Sequence, residues 1–158
     1  MSFYSIKDIA SSTDRHKIYV LMCSPVELSD RIASIQSASI KVLNIGKELA
    51  TFIDALADHK YLNIDAYDFI KKLLEKSKTK INDSGNDVIA IYNLGILLEP
   101  SLEMNATQLL KEFSKSTALI ILWENQSDIP DRLNWLTQKQ KFFLDFSDTQ
   151  LKKLHYAI

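Results

Sequence analysis

Glycine is scarce in this sequence: three residues in 158, where average usage is about 7%. Phosphate-binding loops are built from glycines, because their backbone N–H groups must turn toward the ligand. A single cysteine, Cys23, excludes an intramolecular disulfide and a thiolate-rich zinc site. Charge of one sign is also missing. Nineteen basic residues stand against 20 acidic ones, a formal net charge of -1, so no overall field draws the chain to nucleic acid. No apolar run reaches the roughly 18 residues of a membrane span. The start, Met1 to Asp8 (MSFYSIKD), lacks a basic stretch followed by an apolar one. The expectation from these absences is a cytoplasmic protein without a membrane partner.

What remains is an ordinary globular composition, 46% apolar and 25% charged, of a length that suits one domain spanning 1–158. Five short runs rich in Ile, Val, Leu and Phe stand out: 17–23, 40–45, 88–92, 118–123 and 142–146. Three of them are apolar with almost no alternation, the pattern of strands buried on both faces of a mainly parallel sheet. Between the runs, Leu28, Ile32 and Ile35 have helical spacing, as do Leu49, Phe52, Ile53 and Leu56, and Ala66, Phe69, Ile70, Leu73 and Leu74. Asp65 with Asp68, Asn105 with Gln108, and Ser147 with Gln150 mark helix starts. Ser77 to Asn86 is polar, with Ser84-Gly85-Asn86 as turn chemistry, and predicts a surface loop. The alternation predicts a three-layer α/β domain around a mainly parallel five-stranded sheet, P-loop NTPase-like in architecture, with right-handed crossovers.

Open parallel sheets bind ligands beyond the carboxyl ends of their strands, which directs attention to the segment after Cys23. Set against the pattern G-x-x-x-x-G-K-[ST], the two glycine positions hold Cys23 and Leu28, the lysine position Ser29, and the hydroxyl position Asp30. The same segment predicts something else. Ser24 suits an N-cap, Pro25 the first helical position, and Glu27 a capping box back onto Ser24. Two carboxylates, Glu27 and Asp30, then sit at the positive helix end where a triphosphate would otherwise lie. The third run ends in Tyr92-Asn93 instead of an Asp that could order magnesium, and Glu99 is the nearest carboxylate downstream. The sequence therefore points to no metal, no cofactor and no catalytic residue at this edge.

The string from Val88 to Trp123, VIAIYNLGILLEPSLEMNATQLLKEFSKSTALIILW, resembles the second half of the small P-loop-containing BrxF proteins of type 3 BREX phage-defence systems. The shared features are an isoleucine-rich turn, Glu99-Pro100, Leu109-Leu110 and Trp123. Val42 to Leu56 (VLNIGKELATFIDAL) is similar to the family's second strand and following helix, and the resemblance covers about residues 15 to 146. Where the family carries Gly-Lys-Thr and a strand-end Asp, this chain has Val26 to Asp30 and Tyr92. The resemblance therefore implies a degenerate member that kept the fold and lost the hydrolysis chemistry. It also implies a non-catalytic, pseudo-ATPase role alongside a methyltransferase, a helicase and other subunits of a bacterial antiviral defence complex. Two alternatives stand beside it: a nucleotide-binding regulatory ATPase-like protein and a small DNA-binding accessory factor.

The remaining candidates are weighed from their neighbours in sequence. Lys71, Lys72, Lys76, Lys78 and Lys80 form a basic patch at a helix C-terminus. Such cations complement the helix dipole, and they are also the residues a DNA-contacting surface would use. Gly95 to Arg132 is acidic by contrast, a polarity that suits docking between unlike protein surfaces. His16, His59 and His155 lack ligand spacing. Cys23, ending a strand beside Glu27 and Asp30, fits a small core residue better than a nucleophile. In the loop Glu124 to Arg132, flanked by Trp123 and Trp135, the resemblance to active relatives implies a polar residue that senses a terminal phosphate; Asn125 or Gln126 fits that place, yet without a lysine or magnesium ligand they have nothing to sense.

Overall fold

The computed structural model describes residues 3–81, 85–99, 102–124, 132–134, 143–149 and 151–154. The chain order is β1 (Phe3–Tyr4), α1 (Ile6–Ala10), β2 (Ile18–Met22), α2 (Leu28–Ser37), β3 (Val42–Asn44), α3 (Ile45–Ala55), α4 (Leu62–Ser77) and β4 (Thr79–Lys80). There follow β5 (Asp87–Tyr92), a 3-10 turn (Gly95–Leu98), α5 (Ala106–Phe113), β6 (Thr117–Trp123), β7 (Arg132–Asn134), β8 (Phe143–Asp145) and β9 (Lys152–Leu154). The protein is α/β, with a mainly parallel sheet in the order β1-β9-β2-β6-β5-β3. Every neighbouring pair along that path is parallel, and β4 adds antiparallel to β5.

The near-continuous apolar runs have a direct cause. Strands alternate their side chains between two faces, and both faces of this sheet are covered. Ile18 and Val20 of β2, Ile89 and Ile91 of β5, and Leu119 and Ile121 of β6 pack with α3, α4 and α5. Tyr19 and Leu21, Val88 and Ala90, and Ile120 and Leu122 pack on the other face with Ile6 and Ile9 of α1 and Ile35 of α2. All seven residues of β6 are buried. The result is three layers, compatible with a P-loop-like architecture. No helix among the described residues is long and apolar enough to cross a membrane.

Four local expectations differ from the structure. The run at 142–146 is not a member of the parallel sheet: β8 pairs antiparallel with β7 in a separate ribbon. That ribbon lays Leu133, Leu144 and Phe146 on the core while Phe143 and Asp145 remain half-buried, so the run covers one face only. Ser147 begins a turn, not a helix. Its N–H donates to Asp145 Oδ1 at 2.9 Å, and the Thr149 N–H donates to the Phe146 carbonyl at 2.9 Å; Gln150 lies outside the described residues. The chain then enters β9, which takes the sheet position beside β2. Asp65 does not cap α4, because the helix starts earlier, at Leu62; its carboxylate lies in the first turn, where the helix dipole favours it. In the polar stretch 77–86, Thr79 and Lys80 pair back onto Val88 and Asp87.

Candidate functional site

β2, β3, β5 and β6 all end at one edge of the sheet, and the carboxyl end of β2 lies beside that of β6. Met22 is in register with Trp123, and the Cys23 N–H donates to the Trp123 carbonyl at 3.1 Å. Immediately beyond, Ser24 and Glu27 close a reciprocal box. The Ser24 N–H donates to Glu27 Oε1 at 3.0 Å, and the Glu27 N–H donates to Ser24 Oγ at 3.3 Å. The helix proper begins at Leu28, directly after Glu27, so Ser24 is not the helix N-cap and Pro25 lies in the preceding turn instead of at the first helical position; the box closes that turn, and Glu27 also forms an ion pair with Arg31. Two backbone N–H groups of this turn, those of Ser24 and Glu27, are thus donated to the chain's own side chains.

The electrostatics follow the geometry. The Ser24 backbone N–H, then the Ser24 side chain, hold the Glu27 carboxyl below its usual value, with Arg31 adding less. Cys23 is buried. Burial pushes its thiol up, Glu124 and Glu27 push it further, and Arg31 opposes them, the reverse of what activates a thiolate. Leu28 is half-buried, and Ser29 and Asp30 are exposed on the first turn of α2. Val26 at the tip of the turn is 88% exposed.

At the ends of β3 and β5, Asn44 caps α3 by accepting from the Lys47 N–H at 3.0 Å. The Asn93 side-chain amide donates to the same Asn44 oxygen at 2.8 Å. Asn93 adopts φ 60°, the left-handed region in which Asn is among the better tolerated residues. Gly46 makes room for it, since a Cβ there would lie 2.4 Å from Asn93 Nδ2 and 3.0 Å from its carbonyl oxygen. The strand end where magnesium would be ordered is occupied by a side-chain bridge between two strands. Sequence reasoning missed this bridge; the signal available was Asn44-Ile45-Gly46, a capping residue followed by a glycine in the first helical turn.

The five lysines are spread over four environments. Lys72 and Lys76 border the groove between α3 and α4, whereas Lys71 borders a second groove, between α4 and α5, together with Glu75 and Glu112. Lys78 is paired with Glu75 at 2.9 Å and Asp87 at 3.6 Å, and these contacts raise its pKa, the Glu75 hydrogen bond most of all. Lys80 is exposed on β4. His16 Nδ1 lies 3.2 Å from the Lys111 carbonyl oxygen, and His59 Nε2 lies 3.2 Å from that of Ile53. No group of three metal-ligating side chains occurs among the described residues. Trp123 is buried, while Asn125, Gln126, Trp135 and His155 lie outside the described residues.

Comparison with known proteins returned no matching family model, curated protein or solved structure.

Proposed function

We propose that this chain is a non-catalytic, pseudo-NTPase-like interaction subunit that works with other protein subunits of a bacterial phage-defence complex in the cytoplasm. One observation carries the non-catalytic part: the Ser24–Glu27 box takes up two backbone donors at the point where a P-loop would hold a triphosphate. The Asn44–Asn93 bridge at the neighbouring strand ends supports it, since two amides replace the carboxylate that magnesium would need. The defence setting rests on the BrxF resemblance of Val88 to Trp123. A subunit without its own chemistry contributes through the surfaces it presents to others.

The test is affinity purification of the tagged chain from its native host, with retained partners identified by mass spectrometry, alongside calorimetric titration with Mg-ATP. Co-purification of a methyltransferase, a helicase or an ATPase, with no heat from Mg-ATP, is the expected result. A saturable ATP isotherm would overturn the closed-loop argument and favour a nucleotide-binding regulator. Recovery of the chain without any other subunit would remove the complex.

A further inference from the structure

The outer face of α3 and α4 carries a groove of about 460 Å³. Its floor is apolar. Phe52 and Phe69 stack with centroids 4.2 Å apart and planes 15° from parallel, and Leu56 and Leu73 extend the strip on either side. The rim is charged, and its order along α4 is the informative feature. Asp65 and Asp68 come first and Lys72 and Lys76 follow, on one stripe by their helical spacing. None of the four forms an ion pair among the described residues, although Asp68 and Lys72 are four apart. Tyr61 and Ile64, at the start of the same helix, are 56% and 55% exposed.

We infer that this face is the homodimer interface of the protein, with α4 packed antiparallel against α4 of a second copy. A stripe that is acidic in its first half and basic in its second complements itself when reversed about a two-fold axis. The pairing is in register: with the axis level with Ile70 and Lys71, Asp65 meets the partner's Lys76 and Asp68 meets the partner's Lys72. The two pairings agree to within one residue, or about 1.5 Å of helix rise. The axis then passes beside Phe69, so the stacked rings and the two leucines of each copy close over one another. Alpha4, at 16 residues, is about 24 Å long. A face two helices wide covers on the order of 500 Å² per copy, below the size of stable specific interfaces, so the dimer belongs with the weak, transient ones. This inference does not rest on the defence-complex proposal and survives its failure.

The test is sedimentation velocity of the full chain across the micromolar range, with charge-reversed variants. Wild type is expected to pass from monomer to dimer, and more weakly at high salt. Lys72→Glu with Lys76→Glu, and separately Asp65→Lys with Asp68→Lys, are each expected to raise the dimer Kd by about ten- to hundred-fold. An equimolar mixture of the two variants forms heterodimers, and a chain with all four charges inverted forms homodimers again. The inverted chain keeps the net charge, so it remains informative where a half-swapped variant folds poorly. Wild type that stays monomeric throughout, half-swapped variants that dimerise like wild type, or a mixture of folded variants that fails to pair overturns the inference.

Discussion

Single side chains decide the character of the sheet's carboxyl edge, and two of them give measurable consequences. The Glu27 carboxyl titrates below its ordinary value of 4.5 because Ser24 donates to its charged form. A depressed carboxylate pKa contributes stability that is present above the unfolded value and is lost as pH falls through the folded one. Glu27→Gln keeps an acceptor for the Ser24 N–H but has no proton to gain. The gap in urea midpoint between wild type and Glu27→Gln is therefore expected to narrow as the pH is taken from neutral to below about 4; a constant gap would disprove the linkage. Gly46 gives the second consequence. Replacing a helical glycine by alanine ordinarily stabilises by up to about 1 kcal/mol. Here the new Cβ meets Asn93 and displaces its amide from Asn44, so Gly46→Ala is expected to destabilise by about 1–2 kcal/mol in denaturant titrations. Asn93→Gly removes the obstructing side chain and suits the positive φ, so the double variant should lie nearer wild type than Gly46→Ala alone. Strict additivity would show that the two positions do not interact.

At the level of elements, the fate of the last forty residues separates what sequence pattern can reveal from what it cannot. The strands β2, β5 and β6 were legible because burial on both faces leaves an unbroken apolar run. The cap at Asn105 was legible because its side chain bonds the Gln108 N–H three residues on, a local contact at 3.1 Å. The Ser24–Glu27 box was legible for the same reason. Beta9 was not. Its sequence, Lys-Lys-Leu, carries no apolar run, and its place is set by partners far away in the chain. Lys152 reaches the His16 carbonyl at 3.0 Å and Asp14 at 3.3 Å, while Leu154 is buried between α1 and the sheet. Phe142 to Phe146 competed successfully as a sequence pattern because alternation on a two-stranded ribbon looks much like a short sheet strand. The Asn44–Asn93 bridge spans 49 residues, so no window along the sequence contains it. Leu154→Ala tests the assignment: a residue 4% exposed in a strand is expected to cost about 2–4 kcal/mol in denaturant midpoint experiments, whereas no loss would place 152–154 outside the sheet.

The whole molecule is organised by pairings that are distant in sequence. Beta2 pairs residue for residue with β6, Ile18 with Leu119 through Met22 with Trp123, and β9 closes on the other side of β2. Such a sheet cannot form from neighbouring segments alone, and its folding belongs with the slower, non-local topologies, on the order of milliseconds to seconds. Beta1 has one strand neighbour in the sheet path, β9, with Phe3 opposite Lys153 and Tyr4 opposite Leu154. Beta1 therefore has its sheet partner only after β9 has been laid down. The two strands lie side by side, so a donor and an acceptor dye placed at β1 and β9 would report completion of the sheet as a rise in energy transfer. In a cell, that order makes the emergence of β9 the step that lets β1 join the sheet.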